Sequence, residues 1–165
     1  MRPRRLERCG RSHVLSGFES GREPLDSWLI NYALAAQRVD SARTFVLADA
    51  DSVVGYFSLT MGSVRRADAP DKLVRGLPAY PVGVVLLARL AVRFDRQGEG
   101  LGAQLLAEAL RKAVFAGESA AARLVVVDAI DDSAADFYAH HGFITIPEHP
   151  QRLYRRITDI KASLG

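Results

Sequence analysis

VGVVLLARLAVRFDRQGEGLG, residues 82–102, says more about the architecture of this 165-residue chain than any other stretch. Its first half, Val82–Val92, is apolar except for Arg89, as a strand must be when both its faces are covered at the centre of a sheet. Residues 93–96 then lead into Gln97, Gly98, Glu99, Gly100, Leu101 and Gly102. A helix follows directly, with Leu101, Leu105, Leu106, Ala109, Leu110 and Ala113 on one face. Three glycines in five positions between a buried strand and a helix let backbone amides close on an anion, and the helix N-terminus adds a partial positive charge. A pyrophosphate suits such a loop; the competing reading is a tight turn with glycine at a helix start. Two nucleotide signatures are excluded. No Gly-Lys-Ser/Thr triplet closes the loop, and Gly98, Gly100 and Gly102 alternate instead of following G-x-G-x-x-G.

Upstream, residues 44–48 and 53–64 are rich in β-branched and aromatic side chains and flank Asp49 to Ser52, which predicts an antiparallel hairpin. A Rossmann unit would instead place its glycine loop after the first strand of a parallel module. Before the hairpin, Leu25, Trp28, Leu29, Tyr32, Ala33 and Ala36 recur at offsets 0, 3, 4, 7, 8 and 11, the pattern of one amphipathic helix with Pro24 in its first turn. Trp28 and Tyr32 read as core residues. Residues 65–81 hold Pro70, Gly76, Pro78 and Pro81, too long and proline-broken for a tight turn, and read as a mobile flap. Downstream, residues 124–127 predict another buried strand, and residues 131–141 a helix capped by Asp131 or Asp132 and stopped at Gly142. Residues 143–146 and 152–157 read as closing strands. The order describes a mixed α/β sheet with its ligand loop in mid-chain, and no repeat or linker divides the expected single domain, residues 1–165.

Composition narrows the function classes. With 48% apolar and 25% charged residues the chain has the material for a packed core. Its longest apolar run stops at Arg89, far short of the ~20 residues of a membrane-spanning helix. No apolar segment follows the N-terminal arginines, so the expectation is a cytoplasmic protein without a secretory signal. A lone cysteine, Cys9, supplies neither a disulfide nor a thiolate-rich metal site, and no metal is expected. Nothing near it in sequence would activate it as a nucleophile. Net charge is only +3, yet nineteen of the 22 basic residues are arginine. They cluster at residues 1–11 and 152–161, with Arg65, Arg66, Lys72 and Arg75 in the proposed flap. Such clusters can steer a polyanion, or they can be ordinary solvated surface.

The loop resembles that of the GCN5-related N-acetyltransferases (GNAT), whose pyrophosphate loop reads Q/R-x-x-G-x-G/A: Gln97, Gly100 and Gly102 match it. Ala134, Phe137, Tyr138, Gly142 and Phe143 resemble that family's A-x-x-F-Y-x-x-x-G-F segment. The likeness extends to the acetyltransferase toxins of bacterial toxin–antitoxin pairs through Phe18, Gly21, Leu25, Asp26, Trp28 and Leu29, then Gly55, Tyr56, Ser58 and Leu59. Residues 88–92 and 127–129 add to it. The resemblance implies a GNAT-like, mostly antiparallel central sheet flanked by helices. It also implies a cytoplasmic enzyme that uses acetyl-CoA to acetylate the α-amino group of aminoacyl-tRNA, blocks translation, and is checked by a ribbon-helix-helix antitoxin; a homodimer is allowed. Contacts to acetyl-CoA would then come from Leu90, Ala91, Val92, the loop residues 97–102, Asp131, Ser133 and Phe137. Two departures stand out. Asp131 occupies a position where many such enzymes have a cofactor-contacting Asn, and Glu99 puts a carboxylate inside the loop, so its side chain should point outward.

Acetyl transfer to an amine needs a neutral amine, oxyanion stabilisation and a proton for the departing thiolate. An α-amine titrates near ~8, so a strong base is dispensable. Tyr138 is the candidate acid, against the reading that it is a core aromatic with its hydroxyl at the rim. Backbone groups of Leu90 and Val92, where the central strand would splay, are candidates for the oxyanion and the cofactor arm; their side chains read as core. Arg89 points to the opposite face, toward an RNA phosphate or a buried carboxylate, and Arg65, Arg66 and Arg89 are the candidate substrate contacts. His140 and His141 read as solvated surface. A protein N-terminal or small-amine acetyltransferase, and a non-catalytic acyl-CoA-binding module, are the alternatives.

Overall fold

The computed structural model describes residues 5–13 and 15–164; Arg2 and Arg4 of the N-terminal basic cluster lie outside the described residues. In chain order it contains strand β1 (Arg5–Arg8), helices α1 (Glu23–Asn31) and α2 (Ala33–Arg38), and strands β2 (Arg43–Asp49) and β3 (Ser52–Val64). Helix α3 (Asp71–Val74), strand β4 (Val82–Val92), helix α4 (Leu101–Ser119) and strand β5 (Leu124–Asp128) follow. Helix α5 (Asp132–His140), strands β6 (Ile144–Ile146) and β7 (His149–Arg156), and helix α6 (Ile157–Leu164) complete it. The strand order is β1-β2-β3-β4-β5-β7-β6. Pairings β1/β2, β2/β3, β5/β7 and β6/β7 are antiparallel and β4/β5 is parallel. This is the mixed α/β sheet that the element order predicts, mostly antiparallel and flanked by helices as the family resemblance implies. The chain divides into two compact units, one built from the chain up to Thr60 with Ala88–Ala109, the other from Met61–Leu87 with the chain from Leu110 on.

In the first unit the β2–β3 hairpin runs in register from Arg43↔Leu59 to Asp49↔Ser52, with an irregularity between Leu47 and Ala48. Phe18, Leu29, Ala33, Val46, Val53, Tyr56 and Ala91 form its core, with Leu25, Trp28 and Leu34 packed against them. Gly55 brings α4 down onto the sheet: a Cβ there would lie 2.6 Å from Leu105 Cδ1 and 3.1 Å from the Ala91 carbonyl. The single helix expected over residues 25–36 is two helices. Regular helix stops at Asn31 and restarts at Ala33, so Tyr32 leaves the buried stripe and is 60% exposed instead of core. Trp28 keeps its place on the core.

In the second unit the parallel ladder runs from Val84↔Leu124 to Leu87↔Val127. The flap expected over residues 65–81 is instead packed. It contains a 3-10 turn (Arg66–Asp68) and α3, and buries Ala69, Leu73 and Val74 beside Val82, Val84, Leu124, Val126 and Tyr154. Arg123 Nε donates to the Leu73 carbonyl (2.9 Å) and Tyr154 Oη to that of Asp68 (3.0 Å). Proline breaks the segment's regularity without removing its three apolar anchors. The closing strand ends at Arg156, and Ile157 opens a helix that the sequence reading missed; Ile157 and Ile160 stand one helical turn apart, and Ile160 is fully buried.

Candidate functional site

The candidate residues fall into two sets, one in each unit. In the first, β4 ends at Val92, a 3-10 turn (Phe94–Arg96) follows, and α4 starts at Leu101. Gly98 and Gly100 have φ of +84° and +80°, backbone that a side chain strains. A Cβ at either would meet nothing within 4 Å, so these glycines are required by backbone shape and the space above them is open. Leu101 is buried and seats the helix, with Gly102 in its first turn. The first turn of a helix has N–H groups without intrahelical partners. An open left-handed loop leading into that turn therefore fits the phosphates of an acyl-CoA.

Gln97 fastens this loop from below. Its Nε2 donates to the carbonyls of Ser20 (2.7 Å) and Val92 (2.9 Å). Ser20 is itself held by buried Asp26, whose two carboxylate oxygens accept from the Ser20 N–H at 3.0 Å while Oδ1 accepts from the Ser20 hydroxyl at 2.6 Å. Phe94 N–H donates to the Glu19 carbonyl (2.6 Å). Glu19 and Ser20 thus brace the loop, a role that sequence reading missed because backbone carbonyls carry no residue signature; Asp26 was the nearest available clue. Glu99 turns outward as expected. Its carboxylate meets Arg96 in a two-point pair (Nε–Oε2 3.0 Å, Nη2–Oε1 3.4 Å), and Arg96 Nη1 lies 3.6 Å from Asp49 Oδ2.

Leu90, Ala91 and Val92 continue β4 past Leu87, the last β4 residue in the ladder with β5. Their side chains depart from expectation: only Ala91 is buried, while Leu90 and Val92 are half-buried. The Val92 carbonyl already accepts from Gln97. Arg89 contacts a ring instead of a carboxylate: its guanidinium lies 4.1 Å from the Trp28 ring centroid, and Trp28 in turn stacks on Tyr56 at 6.3 Å and 11°. Burial lowers the Arg89 pKa. Burial also pushes the Tyr56 phenol well up, and its hydroxyl donates to the Leu25 carbonyl at 2.6 Å. Cys9 is buried and its thiol is pushed up to about 11 by desolvation, which agrees with its reading as inert.

In the second unit Asp131 is the N-cap of α5, its Oδ1 accepting from the Ala134 N–H at 2.8 Å. Ser133 and Phe137 lie on α5, exposed and half-buried. Tyr138 is 5% exposed, between Phe137 and Phe143, with ring centroids at 5.2 and 5.7 Å. Gly142 (φ +92°) ends the segment as predicted. His140 is exposed, but His141 is not plain surface: its ring packs 4.8 Å from Phe137, and partial burial, then His140 and Arg155, lower its pKa. Arg65 and Arg66 border an open cleft of about 420 Å³ with Ala67, Ala79 and Pro81. Arg65 is spent on Asp68 (2.8 and 3.1 Å), whereas the buried Arg66 Nε has no hydrogen-bond partner among the described residues. Arg75 pairs with Asp71, Arg152 with Asp128 and Arg156 with Asp159. Much of the arginine surplus is therefore neutralised locally. Among the described residues no three His, Cys, Asp or Glu side chains gather where they could hold a metal ion, and no helix is long and apolar enough to cross a membrane.

Residues 40–145 match a family model, the acetyltransferase (GNAT) domain. The chain belongs to this family. This GNAT acetyltransferase is 40% identical over 151 residues to the tRNA-acetylating toxin of Mycobacterium tuberculosis (strain ATCC 25618 / H37Rv), across 92% of this chain and 90% of that protein. Two solved structures extend the likeness to GNAT toxins. AtaT complexed with acetyl-methionyl-tRNAfMet aligns with a TM-score of 0.89 at 25% identity, covering 99% of this chain and 100% of its own. A tyrosine-to-phenylalanine mutant of AtaT, bound to the C-terminus of the antitoxin AtaR and acetyl-CoA, aligns with a TM-score of 0.85 at 25% identity over 98% of each chain.

Proposed function

We propose that this GNAT acetyltransferase is a cytoplasmic toxin that acetylates the α-amino group of aminoacyl-tRNA from acetyl-CoA and is neutralised by a ribbon-helix-helix antitoxin. The observation that carries the reading is the open Gly98/Gly100 loop, held by Gln97 at the head of α4, in a chain 40% identical to a tRNA-acetylating toxin. When bound, acetyl-CoA supplies the acetyl thioester. Backbone N–H groups of residues 98–102 hold its pyrophosphate, and the backbone of Leu90, Ala91 and Val92 serves the arm and the oxyanion. Asp131, Ser133 and Phe137 are further candidate cofactor contacts that rest on the family resemblance, with the Asp131 side chain also committed to its cap. Tyr138 Oη gives its proton to the departing thiolate and regains one from solvent. The amine arrives partly neutral at physiological pH and needs no dedicated base.

Of the proposed substrate contacts, Arg66 is the strongest, because its Nε is buried beside an open cleft without a hydrogen-bond partner among the described residues. Arg65 must release Asp68 to reach a phosphate, and Arg89 must leave Trp28. The local pairing of Arg75, Arg152 and Arg156 favours a second reading, acetylation of a protein N-terminus, which needs no polyanion track. Competition between charged tRNA and a short peptide amine separates the two. Arg66→Glu is expected to raise KM for aminoacyl-tRNA and leave that for acetyl-CoA unchanged, and rising salt is expected to suppress only the tRNA reaction. Equal use of both acceptors, insensitive to salt and charge reversal, would replace the tRNA reading with the N-terminal one.

A further inference from the structure

Glu99 poses a problem that the loop has to solve. It is the residue between the two left-handed glycines, at the mouth of α4. A helix N-terminus attracts carboxylates as readily as phosphates. An unrestrained Glu99 would therefore fold onto the N–H groups that an incoming pyrophosphate needs, and its charge would repel that pyrophosphate. The structure directs it elsewhere. Arg96, three residues earlier, takes both Glu99 oxygens through Nε and Nη2. A guanidinium and a carboxylate in this two-point geometry fix each other's direction as well as their distance. Arg96 is in turn tied by Nη1 to Asp49, the last residue of β2, so the restraint is anchored in the sheet rather than in the loop. The Arg96 side chain is 23% exposed against 44% for Glu99, as expected if the arginine is the fixed partner and the glutamate the one being held.

We propose that Arg96, braced by Asp49, is a positioning residue that keeps the Glu99 carboxylate off the anion-binding face of the glycine loop. The inference rests on the reading of this loop as the acetyl-CoA pyrophosphate site. Removal of Arg96 then leaves an internal competitor, and the defect belongs to Glu99 rather than to a lost cofactor contact. Replacement of Glu99 must therefore cure it.

Calorimetric titration of acetyl-CoA into four variants tests this. Arg96→Ala is expected to bind about tenfold more weakly than the unaltered chain, the scale of one charge interaction near a protein surface. Glu99→Gln is expected to bind roughly two- to threefold more tightly, because a repelling charge is gone. The double variant should follow Glu99→Gln, not Arg96→Ala. Asp49→Asn, which loosens the brace but keeps the pair, should weaken binding by about two- to fivefold. A double variant as weak as Arg96→Ala would overturn the proposal, because Arg96 would then be touching the cofactor itself. Unchanged affinity in both Arg96→Ala and Asp49→Asn would overturn it as well. If the unaltered chain bound no acetyl-CoA, the loop assignment would fall, and the proposal with it.

Discussion

Replacement of Asp26 by asparagine tests whether the segment before α1 holds the glycine loop. The Asp26 carboxylate accepts the Ser20 N–H on both oxygens at 3.0 Å and the Ser20 hydroxyl at 2.6 Å, out of solvent. An amide keeps one acceptor and turns an NH₂ group toward the same donors, so at least one charge-assisted hydrogen bond is lost, at a cost of ~1.5–3 kcal/mol. For a chain of this size each kcal/mol moves the midpoint by ~2–4 °C, which gives a fall in Tm of ~3–12 °C. Ser20 also presents the carbonyl that Gln97 grips, so the loop should loosen with it. The expected kinetic signature is KM for acetyl-CoA raised by about three- to tenfold with kcat within about twofold, since binding is affected and the chemistry is not. Scanning calorimetry gives the first quantity and steady-state acetylation the second. Ser20→Ala is the control: it removes the hydroxyl but keeps the carbonyl, and should lower Tm without moving KM. If Asp26→Asn loses stability while KM stays at its starting value, the segment does not position the loop and the reasoning is wrong.

Two further outcomes are expected. Tyr138→Phe should keep acetyl-CoA affinity and lose roughly 10² in kcat, the usual worth of a positioned general acid, as single-turnover acetylation against calorimetric affinity will read out; undiminished turnover would move the acid elsewhere. Cys9 should resist alkylation at pH 8–9 in the native protein and react on unfolding. Its thiol is pushed up to about 11 in the folded state, so the unfolded chain loses that proton first and native stability declines as pH rises from the ordinary thiol range toward about 11.

The strand, loop and helix of residues 82–119 were legible because three independent signals coincide there. Apolar continuity gives β4, glycine spacing gives the loop, and the 3.6-residue stripe gives α4, whose six expected core residues are all buried. The hairpin was equally clear. Errors arose where one signal stood alone. Periodicity carried Tyr32 into the core because it does not report the break in the helix at that residue. Proline content turned residues 65–81 into a flap because the anchors Ala69, Leu73 and Val74 are too sparse to make a stripe. Helix α6 is short and opens directly off a strand, so Ile157 reads as the strand's last residue and Ile160 lies beyond the expected strand. In the candidate site, motif residues were legible and their supports were not. Gly98, Gly100 and Gly102 stand out by their spacing, and Gln97 and Tyr138 through the family resemblance. Arg96 and Ser20 act through contacts with chain far away or through main-chain atoms, which spacing does not record.

The hydrogen bond from Gln97 to the Ser20 carbonyl spans 77 positions of chain. During synthesis, the segment that must receive the loop leaves the ribosome long before the loop exists, and it waits without its partner. Local contacts alone give α4, but the grip on Ser20 is a late, non-local closure of the kind that slows folding. A nascent chain can thus have its hairpin and its helix in place before its loop is set. Any tag or binding protein that draws the Ser20 carbonyl away from Gln97 would leave the loop slack. Access to that short early segment is a way to disarm the chain without touching a single residue of its glycine motif.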